Sequence, residues 1–585
     1  MNTFRVWAPA AQRVELALGE RRIAMQAQAG GWWSVAVPEA TGDTDYAFAV
    51  DGGKPLPDPR SPSQPKGIHG PSRRVDHDTF AWTDQRWCAG PLSAAVIYEL
   101  HVGTFTAAGT FEAIIPRLDH LAELGITHVE LMPVAEFSGT RGWGYDGVDL
   151  FAPHRIYGGP EGLKRLVDAC HARGLAVMLD VVYNHLGPTG NYLARFGPYF
   201  TDRYATPWGE AVNFDGPGSD EVRRFFCDNA LMWLRDYHFD GLRIDAVHAI
   251  VDTSATHFLE QLAAEVKALE AELGRHLTVI AESDLNDPRI VRRTEVGGYG
   301  LDAQWNEDFH HALHAVLAGE TSGYYADFGH LADLARVLER NLVYDGRYSV
   351  YRDRRHGRPA GDLPGPRFVA CLQNHDQVGN RAKGERMSHL VDPKRLKIGA
   401  AIVLLSPFVP MLFQGEEWAA TSPFLYFTDH QEPDLAESVR NGRREEFAAF
   451  GWNPEDIPDP QALQTFERSK LDWHELAAAT QADMLGWHRR LIELRRQVSG
   501  LSDWRCAPVR TRFAEDKQWL VFSRGPVTVV CNFGEDVRQI PLGPNDYRVL
   551  IASDPESELG ASQVAIPGES VIILQADNAT RESSE

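Results

Sequence analysis

Between residues 94 and 413, short apolar runs alternate with longer amphipathic stretches, and this alternation leaves the chain very few folds. Runs such as AAVIYELHV (94–102), ITHVELMPV (126–134) and LAVMLDVVYNH (175–185) are close to continuously apolar, as expected of strands covered on both faces. Stretches of helical period follow them: FEAIIPRLDHLAELG, GGPEGLKRLVDACHARG, residues 221–237 and residues 254–273. Further strands are predicted at FDGLRIDA, LTVIAES, DAQWN, RFVACLQN and VPMLF. Eight βα steps predict an α/β fold, a parallel (β/α)8 TIM barrel. Inserted loops lengthen it beyond the usual ~250 residues. One insertion, at about 184–218, is rich in Gly, Pro and aromatic residues.

The chain, at 585 residues, is too long for one core, and its two ends read differently from the middle. FRVWA and VELAL are short alternating runs between turn residues, so residues 1–90 predict an N-terminal β-sandwich closed by the extended loop PLPDPRSPSQPKGIHGPS (55–72). QWLVFSR, VTVVCNFG, YRVLIAS and VAIPGESVIILQA predict a C-terminal β-sandwich over 499–585, with DNATRESSE frayed. The barrel domain then spans 91–498.

A net charge of −23 without a long basic run opposes binding to nucleic acid or to an anionic membrane, so a neutral partner is expected. Cys88, Cys170, Cys227, Cys371, Cys506 and Cys531 are scattered and form no CxxC pair, which suits reduced thiols. MNTFRVWAPA has no apolar signal core. The longest apolar run, 399–413, is broken by Ser406, Pro407 and Pro410 and reads as a buried helix followed by a strand. A cytoplasmic protein is expected.

In such a barrel the C-terminal ends of the strands form the active face. GLRIDAVH delivers Asp245 there, VIAESD delivers Glu282, and Asp376 follows His375 in CLQNHDQVGN. One carboxylic acid and one carboxylate facing each other are what cleavage of a sugar acetal requires. Arg243 and Asp245 share a face of their strand, and a neighbouring guanidinium favours an ionised carboxylate, the form a nucleophile needs. Glu282 must hold a proton for the leaving oxygen, so burial and nearby negative charge are expected around it. Asp376 is expected to hold the distorted sugar by its ring hydroxyls. Isolated surface acids are the alternative, but three at matching strand ends argue against it.

DVVYNH (180–185), GLRIDAVH (241–248), the acid of VIAES and QNHDQ (373–377) resemble the four signature regions of the α-amylase superfamily of glycoside hydrolases. FRVWAPAAQRVELAL resembles the N-terminal sandwich of branching and debranching enzymes. AESDLNDPR (281–289), QWNEDFHHALH (304–314), QNHDQVGNRAKGER (373–386) and GEEWAATSPFLYFTDH (415–430) narrow the resemblance to the malto-oligosyltrehalose trehalohydrolases.

That resemblance implies a retaining hydrolase in which Asp245 forms a covalent glycosyl intermediate, Glu282 protonates the departing sugar and Asp376 stabilises the oxocarbenium-like state. The bond cut is the α-1,4 link between a maltooligosyl chain and a terminal trehalose, so the implied partner is maltooligosyl trehalose, an α-1,4-glucan derivative. Arg243, His185 and His375 are implied contacts of the sugar at the cleavage point, and Tyr145 of GWGYDG an implied stacking ring, with plain packing as its alternative. Asp180 is implied to orient its neighbours. Of His101, His248 and His310, each of which has ordinary burial as an alternative, His248 is carried forward as a substrate contact. The segment 306–311 is expected to present Glu307, Asp308 and His310 to trehalose hydroxyls, and Trp418 and Phe427 to supply rings; solvated loop residues are the alternative.

His248 and Ala249 stand where many amylases carry a Lys-His pair. Asn184 matches a calcium-binding position in some relatives, with a loop-bracing hydrogen bond as the favoured alternative. No metal and no cofactor are expected. A glycogen branching enzyme, a debranching enzyme and a catalytically silent glucan-binding protein are the competing readings.

Overall fold

The computed structural model describes residues 2–448, 457–502 and 508–576; Cys506 and DNATRESSE lie outside the described residues. Eight parallel strands close into a barrel: β1 Ile97–Leu100, β2 His128–Leu131, β3 Ala176–Val181, β4 Gly241–Ile244, β5 Thr278–Ala281, β6 Ala303–Trp305, β7 Phe368–Cys371 and β8 Val409–Phe413. Each of these strands is buried along its whole length, which explains their lack of polar alternation. Ile97, Met178, Ile280, Val369 and Met411 form an apolar layer of the core.

Helices α1 Leu118–Leu124, α2 Gly159–His171, α3 Ser219–Asp236 and α4 Phe258–Leu273 follow the first four strands. α5 Glu307–Ala318, α6 Pro393–Leu405 and α7 Ala479–Gln497 follow β6, β7 and β8. The long apolar run resolves as α6 and β8. Asp392 caps α6 by accepting from Lys394 N–H, Pro393 occupies its first turn, and the helix stops at Leu405 before Ser406-Pro407.

One of the eight steps lacks its α-helix. Two 3-10 turns, Pro288–Ile290 and Thr294–Val296, connect β5 to β6. Gly297 and Gly300 have φ of 79° and 81°, and a Cβ on Gly298 would lie 2.1 Å from Arg292 O, so this stretch is folded tightly back on itself.

The N-terminal sandwich pairs the sheet Thr3–Trp7, Trp32–Ala36, Gln26–Ala27 with the sheet Arg21–Ala24, Val14–Leu18, Asp45–Val50, Ser72–Arg73. The C-terminal sandwich packs a five-stranded sheet on a three-stranded one around Val521, Val530, Ile540, Val564 and Ile572. Among the described residues no helix is long and apolar enough to cross a membrane.

A buried ionic clasp fastens the segment between the N-terminal sandwich and the barrel to the end opposite the strand tips. His171 contacts Asp84 Oδ2 through Nδ1 (2.8 Å) and Asp240 Oδ2 through Nε2 (2.9 Å), and the Trp87 indole donates to Asp240 Oδ1 (2.8 Å). Burial opposes the imidazolium, but the bonds to Asp240 and Asp84 outweigh it and raise His171 above its ordinary 6.5. Stability from this charged ring is fully present below pH 6.5 and is lost as pH rises through its folded value. Asp84→Asn is therefore expected to destabilise the protein by about 3 kcal/mol at pH 6. In thermal denaturation the gap from wild type should narrow at pH 9; an equal gap at both pH values would contradict the charged clasp.

Candidate active site

Asp245 and Glu282 each lie one residue beyond their strands, β4 and β5. The backbone ladder continues past them: Glu282 N–H donates to Ile244 O (2.9 Å) and Val247 N–H donates to Glu282 O (3.0 Å). The two acids therefore sit side by side on strands spaced about 4.8 Å apart. Ala246 turns the chain between them with φ 40° and ψ 51°. That left-handed conformation costs a non-glycine residue on the order of 1–2 kcal/mol. The turn directs Ala246 N–H onto Glu282 Oε2 at 2.5 Å. Both Asp245 oxygens are held: Oδ1 accepts from Arg243 Nη1 (2.7 Å) and Oδ2 from Asn184 Nδ2 (2.7 Å).

Arg243, fully buried, links the acids. Its Nη1 also donates to both oxygens of Asp180 at 2.8 Å, and its Nη2 lies 3.7 Å from Glu282 Oε2. Tyr145 Oη donates to Asp180 Oδ2 (2.6 Å) and lies 2.7 Å from His375 Nε2. On its other side His375 Nδ1 is 2.5 Å from Glu99 Oε1. Burial works against a charged His375, but Asp376 and then Glu99 outweigh it and lift the ring to about 9. As an imidazolium it donates from both nitrogens, so the chain runs His375 to Tyr145 to Asp180. Asp376 Oδ1 is 3.5 Å from His375 Nε2, and its side chain is 44% exposed.

Glu282 meets the environment expected of a proton donor. Burial is the largest influence and carries it to about 8; Arg243 opposes the rise, and the charges of Asp245 and Asp376 add to it. Glu307 is likewise pushed well above the usual carboxylate range by burial and then by Glu282, Asp284 and Asp376.

A cavity of about 370 Å³ opens beside Asp376, lined by Asp284, Glu307, His311, Tyr324, Tyr351 and Arg352 among others. Its volume lies within the range of small-ligand sites. The hairpin Phe200–Thr206 and Gly209–Val212, inside the insertion after β3, carries the half-exposed Trp208, whose ring stacks on His185 at 4.5 Å.

The structure brings together Asp245, Glu282, Asp376, Arg243, His185, His375, Tyr145 and Asp180. His248 is exposed in the 3-10 turn Val247–Ala249 just past Asp245. Asn184 Nδ2 is committed to Asp245, and its Oδ1 lies 2.5 Å from His185 Nδ1. Among the described residues no group of three or more His, Cys, Asp or Glu side chains is arranged to hold a metal ion.

Other expectations are corrected. Asp308 does not face the cavity: it is buried, and its Oδ2 accepts from Val343 N–H, Tyr344 N–H and Asn286 Nδ2 at 2.7, 2.7 and 2.9 Å, anchoring a neighbouring loop. His310 is buried between Leu372 O and Tyr325 Oη; for His101, held between Thr104 Oγ1 and Gly142 O, the alternative of ordinary burial holds. Trp418 and Phe427 are entirely buried core rings. Sequence reasoning missed Glu99, although a lone acid inside AAVIYELHV signals a buried charge that needs a partner.

Residues 73–203 match the alpha amylase catalytic domain, residues 2–64 carbohydrate-binding module 48 (isoamylase N-terminal domain), and residues 504–573 a domain of unknown function. A malto-oligosyltrehalose trehalohydrolase of Arthrobacter ramosus is 50% identical over 580 residues, covering 98% of this chain and 99% of that one. The chain belongs to the malto-oligosyltrehalose trehalohydrolase family. A second trehalohydrolase, from a Rhizobium strain, is 48% identical over 98% of this chain and 97% of its own. A crystal structure described as an alpha amylase from Salmonella typhimurium superposes with a TM-score of 0.89 at 38% identity, covering 98% of this chain and 97% of that one. The trehalohydrolase family is thus matched along both sandwiches as well as the barrel.

Proposed function

We propose that this trehalohydrolase-family member hydrolyses the α-1,4 bond between a maltooligosyl chain and its terminal trehalose, with retention of configuration. The observation that carries the reading is the in-register placement of Asp245 and Glu282 about one buried guanidinium. Retaining glycosidases hold nucleophile and acid ~5–5.5 Å apart, a separation compatible with two neighbouring strand ends.

Asp245 attacks the anomeric carbon while Glu282 gives its proton to the glycosidic oxygen, so trehalose leaves and a glycosyl ester remains. Glu282, now a carboxylate, takes a proton from water; the resulting attack on the anomeric carbon breaks the ester and frees Asp245 and the shortened maltooligosaccharide. Asp376, His185, His375, Arg243 and Tyr145 surround the sugar at the cleavage point, with His248 at the rim. We assign the departing disaccharide to the cavity beside Asp376, where Glu307 and Arg352 face its hydroxyls, and the glucan to the side of Trp208. The match of residues 2–64 to a carbohydrate-binding module supports an α-glucan substrate class. We place the enzyme in the cytoplasm: Cys88, Cys170, Cys227, Cys371 and Cys531 are free thiols, and all but Cys88 are buried.

Incubation with maltopentaosyl trehalose should release trehalose and maltopentaose in equal amounts, measured by chromatography. New α-1,6 branches, or shortened maltodextrins without trehalose, would overturn the assignment.

A further inference from the structure

The Arg243 guanidinium stands between two carboxyls with opposite tasks. All its hydrogen bonds to Asp180 and Asp245 run through Nη1. Nε and Nη2 have no hydrogen-bond partner among the described residues, and Nη2 stops 3.7 Å from Glu282 Oε2. A buried, unpartnered N–H gains about 1.5–3 kcal/mol by closing onto a charged acceptor, so this gap needs a restraint. The flat face of Trp305, the last residue of β6, supplies one: Arg243 Cζ lies 4.2 Å from the ring centre. Trp305 is itself 5% exposed and packed among Ile280, Val369 and Cys371. The cation–π contact holds the guanidinium plane on the ring, while Nη1 pins one edge to Asp180 and Asp245.

We propose that Trp305 is a positioning residue whose ring keeps the Arg243 guanidinium on Asp180 and Asp245 and holds its ion pair with Glu282 at 3.7 Å, short of a hydrogen bond. Asp245 from just beyond β4 and Asp376 from beyond β7 bear on Glu282 with negative charge, and Glu307 at the start of α5 is a further buried carboxyl beside it. Arg243 is the cation opposing them, so its distance sets how firmly Glu282 keeps its proton.

The inference rests on Glu282 being the acid of the proposed reaction. The test is the pH profile of kcat/KM on maltopentaosyl trehalose for wild type, Trp305→Leu, Trp305→Met and Trp305→Phe, each checked for folding by circular dichroism. Loss of the ring should move the alkaline limb of the Leu and Met variants to lower pH by roughly one unit, as a closer opposite charge does. At pH 8, kcat should fall roughly fivefold while KM changes little. Trp305→Phe, which keeps an aromatic face, should return the limb toward the wild-type position. Trp305→Met carries the test if Trp305→Leu does not fold. Activity lost with the limb unmoved, or moved to higher pH, would overturn the positioning role. A wild-type profile with no alkaline limb would instead overturn the assignment of Glu282.

Discussion

Asp245→Asn will lower kcat on maltopentaosyl trehalose by about 10⁴–10⁶-fold, the range seen when a covalent nucleophile is removed. An amide cannot form the glycosyl ester, whatever else remains in place. The fold should persist, because an Asn carbonyl still accepts from Arg243 Nη1, now at 2.7 Å from Asp245 Oδ1. The amide nitrogen would face the Asn184 Nδ2 donor, a local cost of about 1–3 kcal/mol. Substrate affinity, measured by calorimetry on this inactive variant, should stay within a fewfold of the wild-type Kd. Residual turnover above one part in a hundred would mean that Asp245 is not the nucleophile.

Glu282→Gln should cost about 10²–10⁴-fold in kcat, the usual contribution of a general acid. The loss should be far smaller on α-maltosyl fluoride, because fluoride leaves without being protonated. The same group sets the pH profile: with Glu282 lifted to about 8, kcat/KM of the wild type should fall above that pH. Stability follows the same preference for the protonated form. A carboxyl raised by folding contributes stability that is fully present below its unfolded value, 4.5, and is lost as pH rises through about 8. The Gln variant does not titrate, so it should melt above wild type at pH 9 and level with it at pH 4.5. Equal melting temperatures at both pH values would show that burial at this site carries no such penalty.

The barrel strands were legible because their signal is local: a run such as ITHVELMPV is apolar on both faces wherever it sits. The acids were legible because the same runs deliver them at their C-terminal ends, which a parallel barrel gathers on one face. Contacts across the barrel were not legible. Arg243 and Trp305 are 62 positions apart in sequence, and only closure of β4, β5 and β6 stacks one on the other. Glu99 meets His375 because β8 and β1 close the ring. Asp308 shares its segment with Glu307, yet helical geometry turns successive residues of α5 in different directions: Glu307 lines the cavity while Asp308 gathers loop amides. Trp418 and Phe427 carry the composition of sugar platforms, but their burial depends on how the segment after β8 packs, among rings such as Trp473 and Phe466.

The most direct test is time-resolved proton NMR of maltopentaosyl trehalose hydrolysis, followed before the new reducing end mutarotates. Double displacement through Asp245 predicts maltopentaose appearing first as the α-anomer, in step with trehalose. First appearance as the β-anomer would mean that water attacks the sugar directly, and Asp245 could not then form the glycosyl ester.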